Sequence, residues 1–278
     1  MICTTCFRAA EPAGSACSAC GGSPLLAERF QLDHLLGGEP PHQVFAGLDL
    51  RTFEPVQVQV LAVDLDLDRV RLGRLRRELR TRERSPVPGL PTLITRVPIL
   101  RDGDFTLAIV EEPVVGRTLA AEARTRPFDE IELLLDLRGL ACTLSWLHGQ
   151  LQPLCVGPLR PGGVTRTESG RLVLQRFGAL ALAQDQPWTP TDDLLSLGQL
   201  ATTLLKLRPP QGVHAGPIDT AGHGVSAATL DLIRELDARS HEQPPAAARA
   251  VVRRIDRLLR GTERRDRTSA HRAPLAGK

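Results

Sequence analysis

The sequence predicts an α+β chain: a small cysteine module, then a β-rich lobe with one helix, then a helical lobe. Three observations carry this order. Four of the six cysteines fall within the first twenty residues, as two CxxC pairs. Between Glu28 and Val115, short apolar runs alternate with turn residues, as strands do. From Gly116 onward, apolar residues recur at helical spacing.

Composition sets the limits. The chain has 278 residues, 42% of them hydrophobic, so it can bury a sizeable core. A net charge of +3 does not by itself imply a polyanionic partner. Lysine occurs only at Lys206 and Lys278, so arginine carries the basic charge. With no Tyr and 3% aromatics, the core must be built from Leu, Val, Ile and Ala. No run approaches the length of a membrane helix, so no membrane partner is expected. The start, Met1-Ile2-Cys3, lacks a charged and then apolar leader pattern, and a cytoplasmic location is expected.

Residues 1–24 are rich in Cys, Gly, Ala and Ser and cannot bury a core alone. Cys3-x-x-Cys6 and Cys17-x-x-Cys20 are separated by ten residues. Each CxxC presents two sulfurs from one tight turn, and four thiolates complete a tetrahedral Zn²⁺ site with no open position. Gly21 and Gly22 follow the second pair, where such turns need positive φ. The competing reading is two disulfides in a secreted peptide, which the missing leader pattern disfavours. A structural zinc ribbon, with Cys3, Cys6, Cys17 and Cys20 as ligands, is therefore expected. Cys142 and Cys155 read as small buried hydrophobes.

The later elements follow in order. Phe30–Leu36, Val44–Leu50 and Val56–Leu61 read as strands of an antiparallel meander. Residues 67–84 read as a very basic helix. Leu93–Leu100 and Phe105–Val110 read as strands joined by the turn signal Arg101-Asp102-Gly103-Asp104. Phe128–His148, Asp193–Leu207, Ala227–Leu236 and Ala246–Leu259 read as helices, the last with one apolar stripe. The domain expectation is a ribbon at 1–24, a β-rich lobe at 28–115, a helical lobe at 116–260 and a disordered basic tail at 261–278.

Several segments, in order, resemble the bacterial Ser/Thr protein kinases. Leu35-Leu36-Gly37-Gly38-Glu39-Pro40-Pro41-His42-Gln43-Val44-Phe45 resembles their Gly-rich loop. Val56-Gln57-Val58-Gln59-Val60-Leu61 resembles the Val-Ala-Ile-Lys strand. Val110-Glu111-Glu112-Pro113-Val114-Val115-Gly116 resembles the hinge between kinase lobes. Val156–Gly163 resembles the catalytic loop, and Arg176-Phe177-Gly178 the Asp-Phe-Gly motif. Trp146-Leu147-His148 and Asp193-x-x-Ser196-x-Gly198 resemble positions that hold the fold. The resemblance runs to about residue 255 and implies a bilobal protein-kinase-like fold.

It also implies that phosphoryl-transfer positions have been replaced. Of the loop glycines only Gly37 is retained; Glu39 and His42 take the other two positions, and Pro40 and Pro41 lack N–H donors. The phosphate-pairing lysine is Gln59, while its partner acid on the next helix is retained as Glu78. Glu111 stands at the position bordering the nucleotide pocket, and Val114 could still offer its N–H to an adenine. The base Asp is Pro158, the metal-binding Asn is Gly163, and the metal-binding Asp is Arg176. A guanidinium where Mg²⁺ must bind repels the metal. Asp193, which supports the catalytic-loop backbone in the family, is retained.

These replacements predict a catalytically inactive pseudokinase that acts as a scaffold or regulator, that is not an enzyme, and whose ATP binding is weak or absent. The alternatives are a kinase-fold enzyme with rewired nucleotide chemistry and a zinc-ribbon nucleic-acid binder. The 69–84 helix carries eight arginines (69, 71, 74, 76, 77, 80, 82 and 84) against Glu78 and Glu83. One reading is a solvated face in an arginine-biased chain. The other is a docking face for an unidentified protein partner, centred on Arg76, Arg77 and Arg80. The absence of interleaved aromatics disfavours nucleic-acid bases there. The histidines show no metal spacing, and Ser145 with His148 makes no nucleophile constellation.

Overall fold

The computed structural model describes residues 1–11, 16–39, 42–63, 69–101, 104–175, 188–206, 225–237 and 248–270. It divides into two compact units, one built on Met1–Val115, the other on Gly116–Leu174 and the later helices.

The first unit is a six-stranded antiparallel sheet with one helix. Its strands are β1 (Leu25–Leu26), β2 (Phe30–Glu39), β3 (His42–Asp49), β4 (Glu54–Val63), β5 (Leu93–Arg101) and β6 (Asp104–Glu111), in the order β1-β2-β3-β4-β6-β5. Helix α1 is Arg69–Arg84. The period of two decides which residues meet. Val56, Val58 and Val60 of β4 join Ala108 and Val110 of β6 in one apolar cluster, with Leu26, Phe30, Leu32 and Phe45. Leu61 of β4 and Leu107 and Ile109 of β6 point the other way, onto Leu72, Leu75 and Leu79 of α1. By the same alternation Gln59 and Glu111 share the α1 face, on strands paired Gln57 to Glu111 and Gln59 to Ile109. A polar pair is thereby set into an otherwise apolar sheet–helix interface.

The second unit has a small sheet in the order β7-β8-β9 (Gly116–Thr118, Val164–Thr167 and Leu172–Leu174). Its helices are α2 (Leu119–Thr125), α3 (Glu130–His148), α4 (Pro190–Lys206), α5 (Ala227–Asp237) and α6 (Ala248–Ala270). Thr118 caps α2 by accepting from the Ala121 N–H, and Asp129 caps α3 by accepting from the Glu132 N–H at 2.7 Å. The α3 leucines 133, 134, 137, 140, 144 and 147 are all buried. Gly198 lets α4 approach α5 closely: a Cβ there would lie 2.5 Å from the Asp237 nitrogen.

The structure changes several sequence expectations. The expected disordered tail at 261–278 is helical through Ala270, because α6 continues past its apolar stripe; residues 271–278 lie outside the described residues. Residues 1–24 fall in the same compact unit as the β-rich lobe, Met1–Val115. Strands β1, β7, β8 and β9 and helix α2 are too short to show a period in the sequence. Cys142 is exposed and Cys155 half-buried, not buried as expected. No helix among the described residues is long and apolar enough to cross a membrane.

Candidate functional site

The cysteine module is two copies of one turn. In the first, Phe7 N–H donates to the Cys3 carbonyl at 2.9 Å and Cys3 N–H to the Arg8 carbonyl at 2.9 Å. In the second, Gly21 N–H donates to the Cys17 carbonyl at 2.7 Å and Cys17 N–H to the Gly22 carbonyl at 2.8 Å. Phe7 and Gly21 occupy the same place in the two turns, and both have positive φ, 55° and 69°. In each turn the first sulfur accepts a backbone N–H at 3.4 Å, Cys3 from Thr5 and Cys17 from Ala19. Gly22 is required where the turns meet, since a Cβ there would lie 2.6 Å from Thr5 Oγ1.

The four sulfurs lie within 4.8 Å of one another. Cys3 to Cys20 and Cys6 to Cys17 are each 3.8 Å apart. A tetrahedron with metal–sulfur bonds of about 2.3 Å has edges of about 3.8 Å, so the residues fit a four-thiolate metal site. All four thiols are free. Backbone N–H donation from Ala19 lowers the Cys17 thiol to about 7. Gly22 N–H pulls Cys20 the same way, but burial and the neighbouring sulfurs push it up to about 11.

A second polar cluster lies inside the first unit. Gln59 is fully buried and donates through Nε2 to Glu111 Oε2 at 2.7 Å. Glu111 Oε1 accepts from Arg82 Nη2 at 2.5 Å, and the same nitrogen donates to the Pro91 carbonyl at 2.9 Å. Glu78, one turn before Arg82, pairs with Arg82 Nη1 at 3.6 Å, not with Gln59. His42 Nε2 lies 3.3 Å from Gln59 Oε1 on the β3 side. Burial pushes the Glu78 carboxyl up to about 8 against the attraction of Arg82. Glu78 Oε1 and Arg82 Nε and Nη1 are buried without a hydrogen-bond partner. Arg82 is the functional residue that sequence reading misplaced: counted among eight docking arginines, it is buried and fastens α1 to the sheet. Its spacing of four from Glu78, on the face carrying Leu72, Leu75 and Leu79, was the available signal.

The docking candidates behave differently. Arg76, Arg77 and Arg80 are exposed on α1, as is Arg84. The side chains of Arg69, Arg71 and Arg74 lie outside the described residues.

In the second unit Asp193 is the hub. Its Oδ1 accepts from Val156 N–H at 3.0 Å, Gly157 N–H at 2.9 Å and Trp188 Nε1 at 2.6 Å. Its Oδ2 accepts from Val156 N–H at 3.0 Å and lies 2.8 Å from His148 Nε2. Ser196 Oγ accepts from Leu159 N–H at 2.5 Å. Asp193 and Ser196 thus fix the backbone of 156–159, the loop that resembles the catalytic loop. Pro158 and Gly163 sit on this fixed loop, Gly163 closing a short 3-10 turn at Pro161–Gly163. A Cβ at Gly163 would meet nothing within 4 Å, so a side chain would fit there. His148, Cys155 and Asp193 place possible ligand atoms within 4.8 Å of one another, a grouping the sequence spacing did not suggest. The donors already on Asp193 make it a hydrogen-bond centre. Arg176 lies outside the described residues.

No protein-family profile matches the sequence, and no curated protein matches it. Solved structures do match. A kinase domain of Mycobacterium tuberculosis PknI aligns with TM-score 0.63 and 19% identity, over 85% of this chain and 97% of that chain. A double-mutant form of the same PknI kinase domain aligns with TM-score 0.63 and 18% identity, over 83% of this chain and 95% of that chain. The chain therefore has a kinase-like fold. This corrects the expectation that the chain is not an enzyme: the solved structures that share its fold are kinase domains. The expectation rested on Gln59, Pro158, Gly163 and Arg176, of which Arg176 lies outside the described residues.

Proposed function

We propose that this chain is a regulatory member of the kinase-like fold that binds a protein partner through α1, with a zinc ion held by Cys3, Cys6, Cys17 and Cys20. The carrying observation is the division of labour along α1. Arg82 turns inward to Glu111 and the Pro91 carbonyl, so the helix is anchored. Arg76, Arg77 and Arg80 on the same anchored helix are exposed. A guanidinium offers a planar fork to carboxylates, and arginine is favoured at binding hot spots. The partner's matching surface is acidic. Zinc is favoured by the all-sulfur donor set and the tetrahedral spacing. With Gln59 buried on Glu111 and uncharged, ATP is held weakly.

The test is charge reversal at Arg76, Arg77 and Arg80 together. Affinity for the captured partner should fall at least about a hundredfold, while stability changes by no more than about 0.5 kcal/mol. Undiminished binding would reduce this face to a solvated one.

The likeness to kinase domains favours a second reading, an enzyme with rewired nucleotide chemistry. Arg160, exposed beside the fixed loop, is then the first candidate to contact phosphate. Transfer from radiolabelled ATP that disappears in Arg160→Ala would select this reading over the first.

A further inference from the structure

The ribbon is built into the sheet it precedes. Ile2 N–H donates to the Leu32 carbonyl at 2.6 Å, and Ile2 bridges both Ala9 and Leu32. β1 covers β2 only at Phe30 and Gln31, so Ile2 continues the cover along the β2 edge. An uncovered strand edge leaves backbone groups open to stray pairing.

Side chains repeat the pattern. Phe7 stacks on Phe45 of β3, with ring centroids 5.7 Å apart and planes 18° apart. Ile2 and Phe7 both pack on the cluster that contains Phe30, Leu32, Phe45 and Val58. Each of these two residues is next to a cysteine, Ile2 before Cys3 and Phe7 after Cys6. Phe7 also holds φ at 55°, a conformation unfavourable for a bulky L-residue. It holds this conformation in the turn that its N–H closes on the Cys3 carbonyl. The residues that grip the sheet are thus positioned by the residues that would grip the metal.

We infer that the ribbon is a metal-controlled clamp on the β2–β3 hairpin, so that metal occupancy sets the order of residues 30–36 and 44–48. This inference rests on the four-cysteine metal reading and is independent of the α1 partner surface. With metal bound, the first turn is locked, Phe7 stays on Phe45, and Ile2 stays on the β2 edge. Without metal, the four thiols no longer share a centre, and Phe7 can relax out of its left-handed conformation.

The experiment is hydrogen exchange read by mass spectrometry on the full chain, loaded with zinc(II), stripped with a strong chelator, and reloaded. Stripping should speed exchange in the peptides spanning 30–36 and 44–48 at least about tenfold, with α3 at 130–148 unchanged and reloading restoring protection. Phe7→Ala, loaded and carrying one zinc by native mass spectrometry, should show the same loss without chelation. Protection that stays within about twofold on stripping, or a loss that spreads equally to α3, overturns the clamp. A chain that takes up no zinc under native conditions overturns the metal reading itself, and native mass spectrometry distinguishes that failure from the other.

Discussion

The two units each bury a carboxylate hub, and the hubs are made differently. Asp193 in the second unit has both oxygens occupied by well-placed donors from Val156, Gly157, Trp188 and His148. The Glu78–Arg82–Glu111 cluster in the first unit places one guanidinium between two carboxyl groups and leaves three atoms without a hydrogen-bond partner. A buried charge held by several donors is inexpensive to keep and specifies local geometry. A buried cluster with orphaned atoms costs stability and persists where something else requires it. Arg82 supplies the positive charge of this cluster from the helix, while Gln59 contributes only a neutral amide.

Three perturbations test this contrast. The largest effect is expected for Asp193→Ala, which strips the acceptor from two buried backbone N–H groups and from Trp188 at once. A loss of about 3–5 kcal/mol is expected, read by urea titration of the fluorescence of Trp146 and Trp188, both in the second unit. A cost below about 1 kcal/mol would show the hub to be replaceable.

Next comes Arg82→Met, which leaves Glu111 buried without a cation and should cost about 3 kcal/mol. Adding Glu111→Leu should recover part of that loss, because the unpaired carboxylate is removed, while Gln59 Nε2 loses its buried acceptor. The same double change around a saturated hub should not recover. If the double variant stays as unstable as the single one, the cluster is a stabilising network and the contrast fails.

The smallest and most diagnostic effect is a pH slope. Glu78 is raised from an ordinary 4.5 to about 8 in the folded chain. Between those values the folded state keeps a proton that the unfolded chain releases. Stability from this group is therefore full below the lower value and is lost as pH rises to about 8. Glu78→Gln should flatten the stability profile across that window, by up to about 1.4 kcal/mol per pH unit at its steepest. Identical slopes in both proteins would mean that Glu78 is ionised throughout.

Some of this was readable in the sequence because it is periodic or local. The paired CxxC spacing located the four sulfurs, since a turn of fixed length fixes where both side chains point. The alternation in Val56–Leu61 and the helical stripe in 128–148 exposed the main strands and helices, because burying one face imposes a period. Motif order suggested the kinase-like fold and placed Asp193 on its helix. What only the tertiary structure decided was which polar residues meet across elements. Arg82 looked like its arginine neighbours until packing turned it onto the sheet, where Gln59 and Glu111 were brought to one face by strand register. Ile2 and Phe7 carried no pattern, and their grip on Leu32 and Phe45 depends on where a turn lands against a distant strand. Local spacing follows from bond geometry within one segment, whereas these contacts depend on the register and packing of several segments at once.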